Sequence, residues 1–351
     1  MGLIIYAILS RGKIDAVAIR RSRKDYRSPF LFRRAGRPDA GKLASRGLPV
    51  LGNVNEVAAL LGVSPKQLRW LSVADFGHYH SFLLEKKSGA ARLIDAPKPQ
   101  LKAAQRKIYE LLLKKQPLHP AAHGFCPGKN VRDHAARHCG KQTVLGMDVA
   151  NFCPSVSARR VCGLFKSWGY GEDVALLLTT LTTYNGHLPQ GAPTSPALAN
   201  LVFTHADARL AGLARRFGAE YSRYADDMTF SGGQAFQRKL SAFSKAVQGI
   251  VKEEGFALNH NKTRQMRHGR RQVVTGLVVN ETPHVSRRMR RRMRAILHNA
   301  QRKGLEAQNR FKHPRFAEHL RGRIAWITSL HPRLGGRLLE GWKAARARFA
   351  G

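Results

Sequence analysis

Tyr221-Ser-Arg-Tyr-Ala-Asp-Asp-Met-Thr-Phe230 sets two adjacent carboxylates, Asp226 and Asp227, between two short apolar, β-prone runs. Tyr221 to Tyr224 and Met228 to Phe230 read as paired strands, with Ala225-Asp226-Asp227 at the turn. Such a turn carries both acids out of the sheet to one spot, where they repel each other. A divalent cation is the simplest remedy. An isolated Asp-Asp is equally the mark of a polar turn between strands.

A third acid tilts the balance. Thr143-Val-Leu-Gly-Met-Asp148-Val149 is another strand-like run that ends on a lone carboxylate. Asn151-Phe-Cys-Pro154 breaks it, and Ser157 opens a helix with Val161, Leu164, Phe165 and Trp168 on one face. An acid that closes an apolar strand is costly unless solvated, paired or metal-bound. Three carboxylates on adjacent strands make the hard-oxygen set that Mg2+ takes. Two such ions roughly 4 Å apart clamp the attacking and leaving oxygens of phosphoryl transfer.

With these residues in view the chain resembles reverse transcriptases. Tyr224-Ala-Asp-Asp227 looks like their signature, and Asp148 like the first catalytic acid of the palm. Leu188-Pro-Gln-Gly-Ala-Pro-Thr-Ser-Pro-Ala-Leu-Ala-Asn-Leu-Val-Phe203 resembles the next palm motif over its whole length. His123-Gly-Phe125, His134-Ala-Ala-Arg-His138 and Val274-Thr-Gly276 narrow the resemblance to retron reverse transcriptases, bacterial enzymes that make a branched, RNA-linked DNA. The resemblance spans roughly residues 48–345.

It implies an α+β right-hand polymerase, with fingers, an antiparallel palm sheet backed by helices, and a helical thumb. The expected divisions are a basic extension over 1–45, N-terminal helices and fingers over 46–140, palm over 141–280 with part of the fingers at about 158–190, and thumb over 281–351. The implied reaction is RNA-templated DNA synthesis with two Mg2+ ions held by Asp148, Asp226 and Asp227, helped by the Val149 carbonyl. Lys262, in Asn259-x-x-Lys-Thr263, matches the family lysine that assists the leaving pyrophosphate, against the alternative of a surface lysine. The implied partners are a cognate structured non-coding RNA serving as template and primer, its DNA product, dNTPs and an effector protein in phage defence. Priming is expected from a guanosine 2′-hydroxyl in that RNA.

Composition agrees with a polyanion partner. The 351 residues carry 61 Lys and Arg against 22 Asp and Glu, a formal charge of +39. Neutralising phosphates releases counterions and drives binding; an anionic membrane surface is the competing reading. No apolar run is long enough to span a bilayer. Cys126, Cys139, Cys153 and Cys162 form no CxxC pair, which fits free thiols in a reducing cytoplasm. His123-x-x-Cys126 with His134-x3-His138-Cys139 could also be a zinc site, which the resemblance does not require.

Met1 to Ser10 is apolar without the flanks of a signal peptide. Arg20 to Arg37 reads either as a solvated tail or as an arm tracking RNA phosphates. Asn53-x-x-Glu56 and Ser64-Pro65-x-Gln67 start two helices separated by Gly62. Leu60, Leu61, Leu68 and Leu71 favour packing over a DNA-reading pair. Phe82 to Ile94 reads as a hairpin joined by Lys86-Lys-Ser-Gly89, where Arg92 and one of Lys86 or Lys87 are candidate triphosphate contacts; the alternative is solvent-facing charge on an edge strand. Pro99 to Leu113 is an amphipathic helix burying Leu101, Ile108, Leu111 and Leu112. Gln190-Gly191 is expected to let the backbone approach a sugar or base, and Ser195-Pro196 to cap a helix reaching Leu210. Phe236 to Glu254 is a helix, Phe256 to Lys262 a strand and turn, and Val273 to Val279 a strand. Arg287-Arg-Met-Arg-Arg-Arg-Met-Arg294 puts Met289 and Met293 on one stripe. A solvated face is the usual fate of such charge, but its arginines, Arg287, Arg288, Arg291 and Arg292 among them, would repel one another along a lone helix, so a phosphate backbone is the better reading. With His138, Val274, Thr275 and Gly276 they form the expected RNA contacts.

Three departures from the family pattern stand out. His134 replaces the usual Asn, Cys153 replaces the second Phe of Phe-Phe-Pro, and the first 45 residues have no clear counterpart. In related enzymes an aromatic five residues after the first acid excludes a 2′-hydroxyl. Cys153 holds that position here, with Phe152 one place earlier, so weaker sugar discrimination is expected unless a bulge turns Phe152 into the gate. The alternatives are a group II intron-type enzyme without its maturase region and a catalytically dead RNA-binding scaffold. No RNase H, integrase or endonuclease segment follows the thumb, so template removal is expected from elsewhere.

Overall fold

The computed structural model describes residues 36–73, 77–85, 89 and 91–348. The expectations for Met1 to Ser10, for most of the basic stretch and for Lys86 and Lys87 lie outside the described residues. The chain divides into two compact units, each built from separated segments.

The first unit comprises residues up to Leu118 and Asn151–Thr204. Asn53 caps the helix Val54–Leu61 by accepting from the Asn55 and Glu56 amides, and Gly62 ends it in the left-handed region. Ser64 caps the helix Pro65–Leu71, with Pro65 in its first turn. Leu61, Leu68 and Leu71 are buried, as the packing reading expects. Strands β1 (Tyr79–Glu85) and β2 (Ala91–Pro97) pair antiparallel from Tyr79 opposite Pro97 to Glu85 opposite Ala91.

The helix Pro99–Ile108 passes into a π-helical turn, Tyr109–Leu113. The wider turn rotates the buried face by a residue. Leu112 and Leu113 are buried, whereas Leu111, expected inside, is exposed. Helices Ala158–Ser167, Glu172–Thr182 and Ser195–Val202 complete the unit, the last with Thr194 rather than Ser195 at its cap.

The second unit comprises His119–Ala150 and His205–Gly351. Its centre is a four-stranded antiparallel sheet made of β3 (Thr143–Asp148), β4 (Ala219–Tyr224), β5 (Asp227–Gly232) and β6 (Arg264–Arg267), in the order β4-β5-β3-β6. β3 is buried along most of its length, which is why it reads as a continuous apolar run. Helices Thr204–Arg216 and Leu240–Glu253 follow breaks at Phe203 and Lys239, where the apolar period predicts unbroken helices. The expected strand at Phe256 is instead a single bridge from Leu258 to Val149, followed by one 3-10 turn over His260–Lys262.

Val273 to Val279 is not one strand. β7 (Val273–Val274) and β8 (Leu277–Val278) form a minimal hairpin. Its two-residue turn, Thr275-Gly276, has φ of 45° and 84°. Two successive positive φ values are the geometry that follows strand twist through a tight turn, which explains the glycine. Beyond it, the helices Arg287–Lys303, Phe316–Leu330 and Pro332–Ala347 bury Met293, Leu297, Ile324, Ile327, Leu338 and Trp342 in one core. That core runs on into Val274, Leu277, Val279 and Val144 of the sheet region. None of the helices among the described residues is long and apolar enough to cross a membrane.

Candidate active site

The hairpin joining β4 to β5 turns on two residues, Ala225 and Asp226, so Asp227 is already the first residue of β5 and not part of the turn. Ala225 has φ of 57°, a conformation that costs an alanine about 1–2 kcal/mol and has to be held from outside.

A set of contacts around the turn holds it. Arg223, fully buried, donates from Nη1 to the Ala225 carbonyl at 2.7 Å. Its Nε and Nη2 form a fork onto Asp207 at 2.9 and 2.6 Å, and the Tyr221 hydroxyl donates to the same carboxylate at 2.7 Å. The Val149 amide donates to the Asp226 carbonyl at 2.9 Å. Residues 121–124 run along β4, with the His123 amide bonded to the Arg223 carbonyl at 2.7 Å. There Gly124 passes so close that a Cβ on it would lie 2.3 Å from the Ala225 nitrogen. His123-Gly-Phe125 therefore acts here as a brace for the turn.

Register brings the acids together. Asp148, at the end of β3, is directly opposite Asp227 on β5, and Asp226 sits in the adjoining turn. Asp148 is buried, and Lys262 donates to its Oδ2 at 2.7 Å from the 3-10 turn. The Asn259 amide donates to the Asp148 carbonyl at 2.8 Å and anchors that turn. Desolvation pushes the Asp148 carboxyl up, an effect opposed by Lys262 and reinforced by Asp226. Desolvation, then Asp226 and Asp148, raises Asp227 to about 6, although one side of the residue is open to solvent. Lys262 is held protonated above its ordinary range, chiefly by its bond to Asp148.

Among the described residues no three His, Cys, Asp or Glu side chains converge tightly enough to ligate one ion. The chemistry of the set nonetheless fits a hard divalent cation. Three carboxylates crowd one end of the sheet, burial and then neighbouring acids raise the pKa of Asp148 and Asp227, and Lys262 is the countercharge in direct contact.

Other expected site residues fall elsewhere. Phe152 is buried edge-on against Phe203, with ring centroids 5.5 Å apart, and Cys153 is half-buried. Both lie in a run of turns, so strand alternation does not apply to them. The close approach expected at Gly191 is made by the chain itself. Gln190 accepts from the Asp95 amide at 2.8 Å, and a Cβ on Gly191 would lie 2.9 Å from the Asp95 carbonyl oxygen. Arg92 is exposed on β2.

Two expected RNA contacts, His138 and Val274, have fully buried side chains, which puts them out of reach of a ligand. His138 bonds Ser231 at 2.7 Å and Ser222 at 2.6 Å, tying β4 to β5, and Val274 is part of the core. Apolar or neutral groups at such positions are kept by packing. His134 lies against Thr275 at 3.3 Å, joining two of the three motifs that narrowed the resemblance. Arg287, Arg288, Arg291 and Arg292 are exposed on their helix. The Asp207–Arg223 pair leaves no mark in the sequence. Asp207 in a helix and Arg223 in a strand each read as surface charge, and only the fold brings them together.

The family profile described as "Reverse transcriptase (RNA-dependent DNA polymerase)" matches residues 84–305. The chain thus has the fold of a reverse transcriptase and is an RNA-directed DNA polymerase, a class that generally works with divalent metal ions. Retron Mx65 reverse transcriptase of Myxococcus xanthus is 43% identical over 86% of this chain and 74% of its own length. Retron Mx162 reverse transcriptase of the same species is 37% identical over 83% and 66%. Retron Ec86 reverse transcriptase of Escherichia coli is 33% identical over 85% and 91%. The chain belongs to the retron reverse transcriptases. Among solved structures, telomerase from Candida albicans in complex with a telomeric RNA fragment aligns at a TM-score of 0.43 and 9% identity, over 74% of this chain and 54% of that one.

Proposed function

We propose that the protein copies its own structured non-coding RNA into single-stranded DNA that stays linked to the RNA. The reading rests on one observation above all: Asp148 and Asp227 face each other in register, with Asp226 in the adjoining turn. The primer hydroxyl gives up its proton to solvent and attacks the α-phosphorus of a dNTP, a new phosphodiester forms, and pyrophosphate leaves with the broken bond's electron pair. Asp148, Asp226 and Asp227, with the Val149 carbonyl, would hold two Mg2+ ions. Bound there, these supply Lewis-acid charge at the attacking and leaving oxygens. Lys262 adds a standing positive charge on the same side of the sheet.

Arg223 and Gly124 keep the Ala225-Asp226 turn in place and so act as positioning residues. Thr275 and Gly276 expose a turn suited to reading the cognate RNA, and the arginine face of Arg287–Lys303 neutralises its phosphates. Priming from a guanosine 2′-hydroxyl and service in phage defence beside an effector are part of the same proposal.

The decisive experiment uses Asp226→Asn and Asp148→Asn protein. Both should lose extension of an annealed primer on RNA with Mg2+, by several orders of magnitude, while RNA binding survives. Near-normal extension by Asp226→Asn protein would sink the assignment. Sequencing the nucleic acid that co-purifies with the wild type, before and after debranching, tests the RNA-linked product.

A further inference from the structure

Phe311 is the most exposed large apolar side chain among the described residues, at 81%. It stands in the loop between the helices Arg287–Lys303 and Phe316–Leu330. An exposed phenylalanine is ordinary on a mobile loop, but this loop is built. The Asn309 side chain closes it from both sides, donating to the His313 carbonyl at 3.0 Å and accepting from the His313 amide at 2.7 Å. The Lys312 amide bonds the Asn309 carbonyl at 3.1 Å, and Lys312 has φ of 49°. The Arg315 amide bonds His313 Nδ1 at 3.2 Å. Phe311 therefore sits at the tip of a loop pinned on either side of it.

The ring's surroundings are cationic. The Arg292 guanidinium lies over it, 5.7 Å from the centroid. Arg310 and Lys312 flank it in sequence, and Arg288 is exposed one helical turn before Arg292. A protein-docking patch is usually poor in lysine and uniform charge. An aromatic face ringed by Arg and Lys is what single-stranded nucleic acid needs: a stacking surface for one base and cations for the phosphates on either side.

We infer that Phe311 is a stacking platform for an unpaired base of the nucleic acid this polymerase holds, with Arg292 positioning the ring and Arg310 and Lys312 meeting adjacent phosphates. The inference rests on nucleic-acid binding by the chain and goes beyond the carboxylate site.

The test compares wild type, Phe311→Leu, Phe311→Trp and an Arg310→Gln/Lys312→Gln double variant. The probes are a short single-stranded RNA containing 2-aminopurine, whose fluorescence falls when it stacks, and the corresponding RNA duplex. Phe311→Leu keeps an apolar side chain but has no π-face. It should bind the single strand about tenfold more weakly and lose the quench, with duplex affinity unaltered. Phe311→Trp should restore both. The double variant should lower the slope of log affinity against log salt by about 0.7 for each phosphate no longer neutralised. The inference is overturned if Phe311→Leu binds and quenches as wild type does, if single strand and duplex weaken alike, or if the variant instead loses only a co-purifying protein. The readout is binding, so it stands apart from the test of the carboxylates, which is extension by Asp226→Asn protein.

Discussion

Replacing Arg223 by Met separates what the buried pair does for stability from what it does for the Ala225-Asp226 turn. Arg223 and Asp207 are both completely enclosed, with side-chain exposures of 0% and 1%. Removing the guanidinium leaves the Asp207 carboxylate with only the Tyr221 hydroxyl among its named donors and strips the Ala225 carbonyl of its Nη1 partner. Breaking a buried pair in this way costs about 3–5 kcal/mol. Against a typical net stability of about 5–15 kcal/mol, the variant should fold but unfold at clearly lower urea.

The double replacement Asp207→Leu/Arg223→Met removes both charges and fills the space with apolar atoms. Such swaps are often neutral or stabilising, so most of the lost stability should return. Activity should not return with it, because the Ala225 carbonyl still lacks the Nη1 donor that helps hold its positive φ. A shift of about 1 Å at Asp226 is worth about a hundredfold in rate. The assay is a urea titration followed by intrinsic fluorescence, beside single-nucleotide extension at saturating primer–template. A double variant that regains full kcat together with its stability would refute the positioning role. An Arg223→Met protein less than about 1 kcal/mol destabilised would refute the energetic one.

Other parts of the chain carry their own expected outcomes. A Thr275→Ala/Gly276→Ala variant should lose synthesis primed by its own RNA yet keep extension of an annealed primer; equal loss of both would mean that the turn serves folding alone. Cys153→Phe should raise the preference for dNTP over rNTP in paired single-nucleotide incorporations, since a ring replaces a thiol at the expected sugar gate; an unaltered ratio, with collapse in Phe152→Ala, would place the gate at Phe152. His134 is depressed from 6.5 to about 3, first by desolvation and then by His123, and so stays neutral when folded. Below about pH 6.5 the unfolded chain takes up a proton that the folded one refuses. Stability should therefore fall with pH by about 1.4 kcal/mol per unit from this group, with a further loss from His138, also held low by burial. A urea midpoint that stays flat from pH 7 to about 5 would contradict neutral histidines in the fold.

The carboxylate site is legible in the sequence because its signals are local. Short apolar, β-prone runs, a turn and an acid at a strand end single out Asp148, Asp226 and Asp227 as candidates before the fold is known. Helix starts are equally readable at Asn53, Ser64 and Ser157, where a side chain meets its own backbone. What stays hidden depends on distant partners or on one-residue geometry. The π-helical turn that exposes Leu111 leaves no mark in the apolar period. Val273 to Val279 is apolar enough for a strand, and only the positive φ at Thr275 and Gly276 divides it. His138 is an expected RNA contact only through the family resemblance, and in the fold two serines from β4 and β5 satisfy it in the interior. Gly124 and Asp207 gain their meaning only from what the chain folds against them.

The sheet order has a consequence for how the chain comes to be folded. β3 lies between β5 and β6, both of which are made after it. At about 5–20 residues per second, a ribosome needs on the order of ten seconds to go from Asp148 to Arg267. Through most of that interval the most buried strand of the sheet waits for a neighbour, while the β4–β5 hairpin can close within about 1–10 μs of emerging. The nascent chain thus carries an unpaired sticky segment for much of its synthesis, an invitation to chaperones or to aggregation. The acid at the end of that segment meets its two companions only once the later hairpin docks beside it.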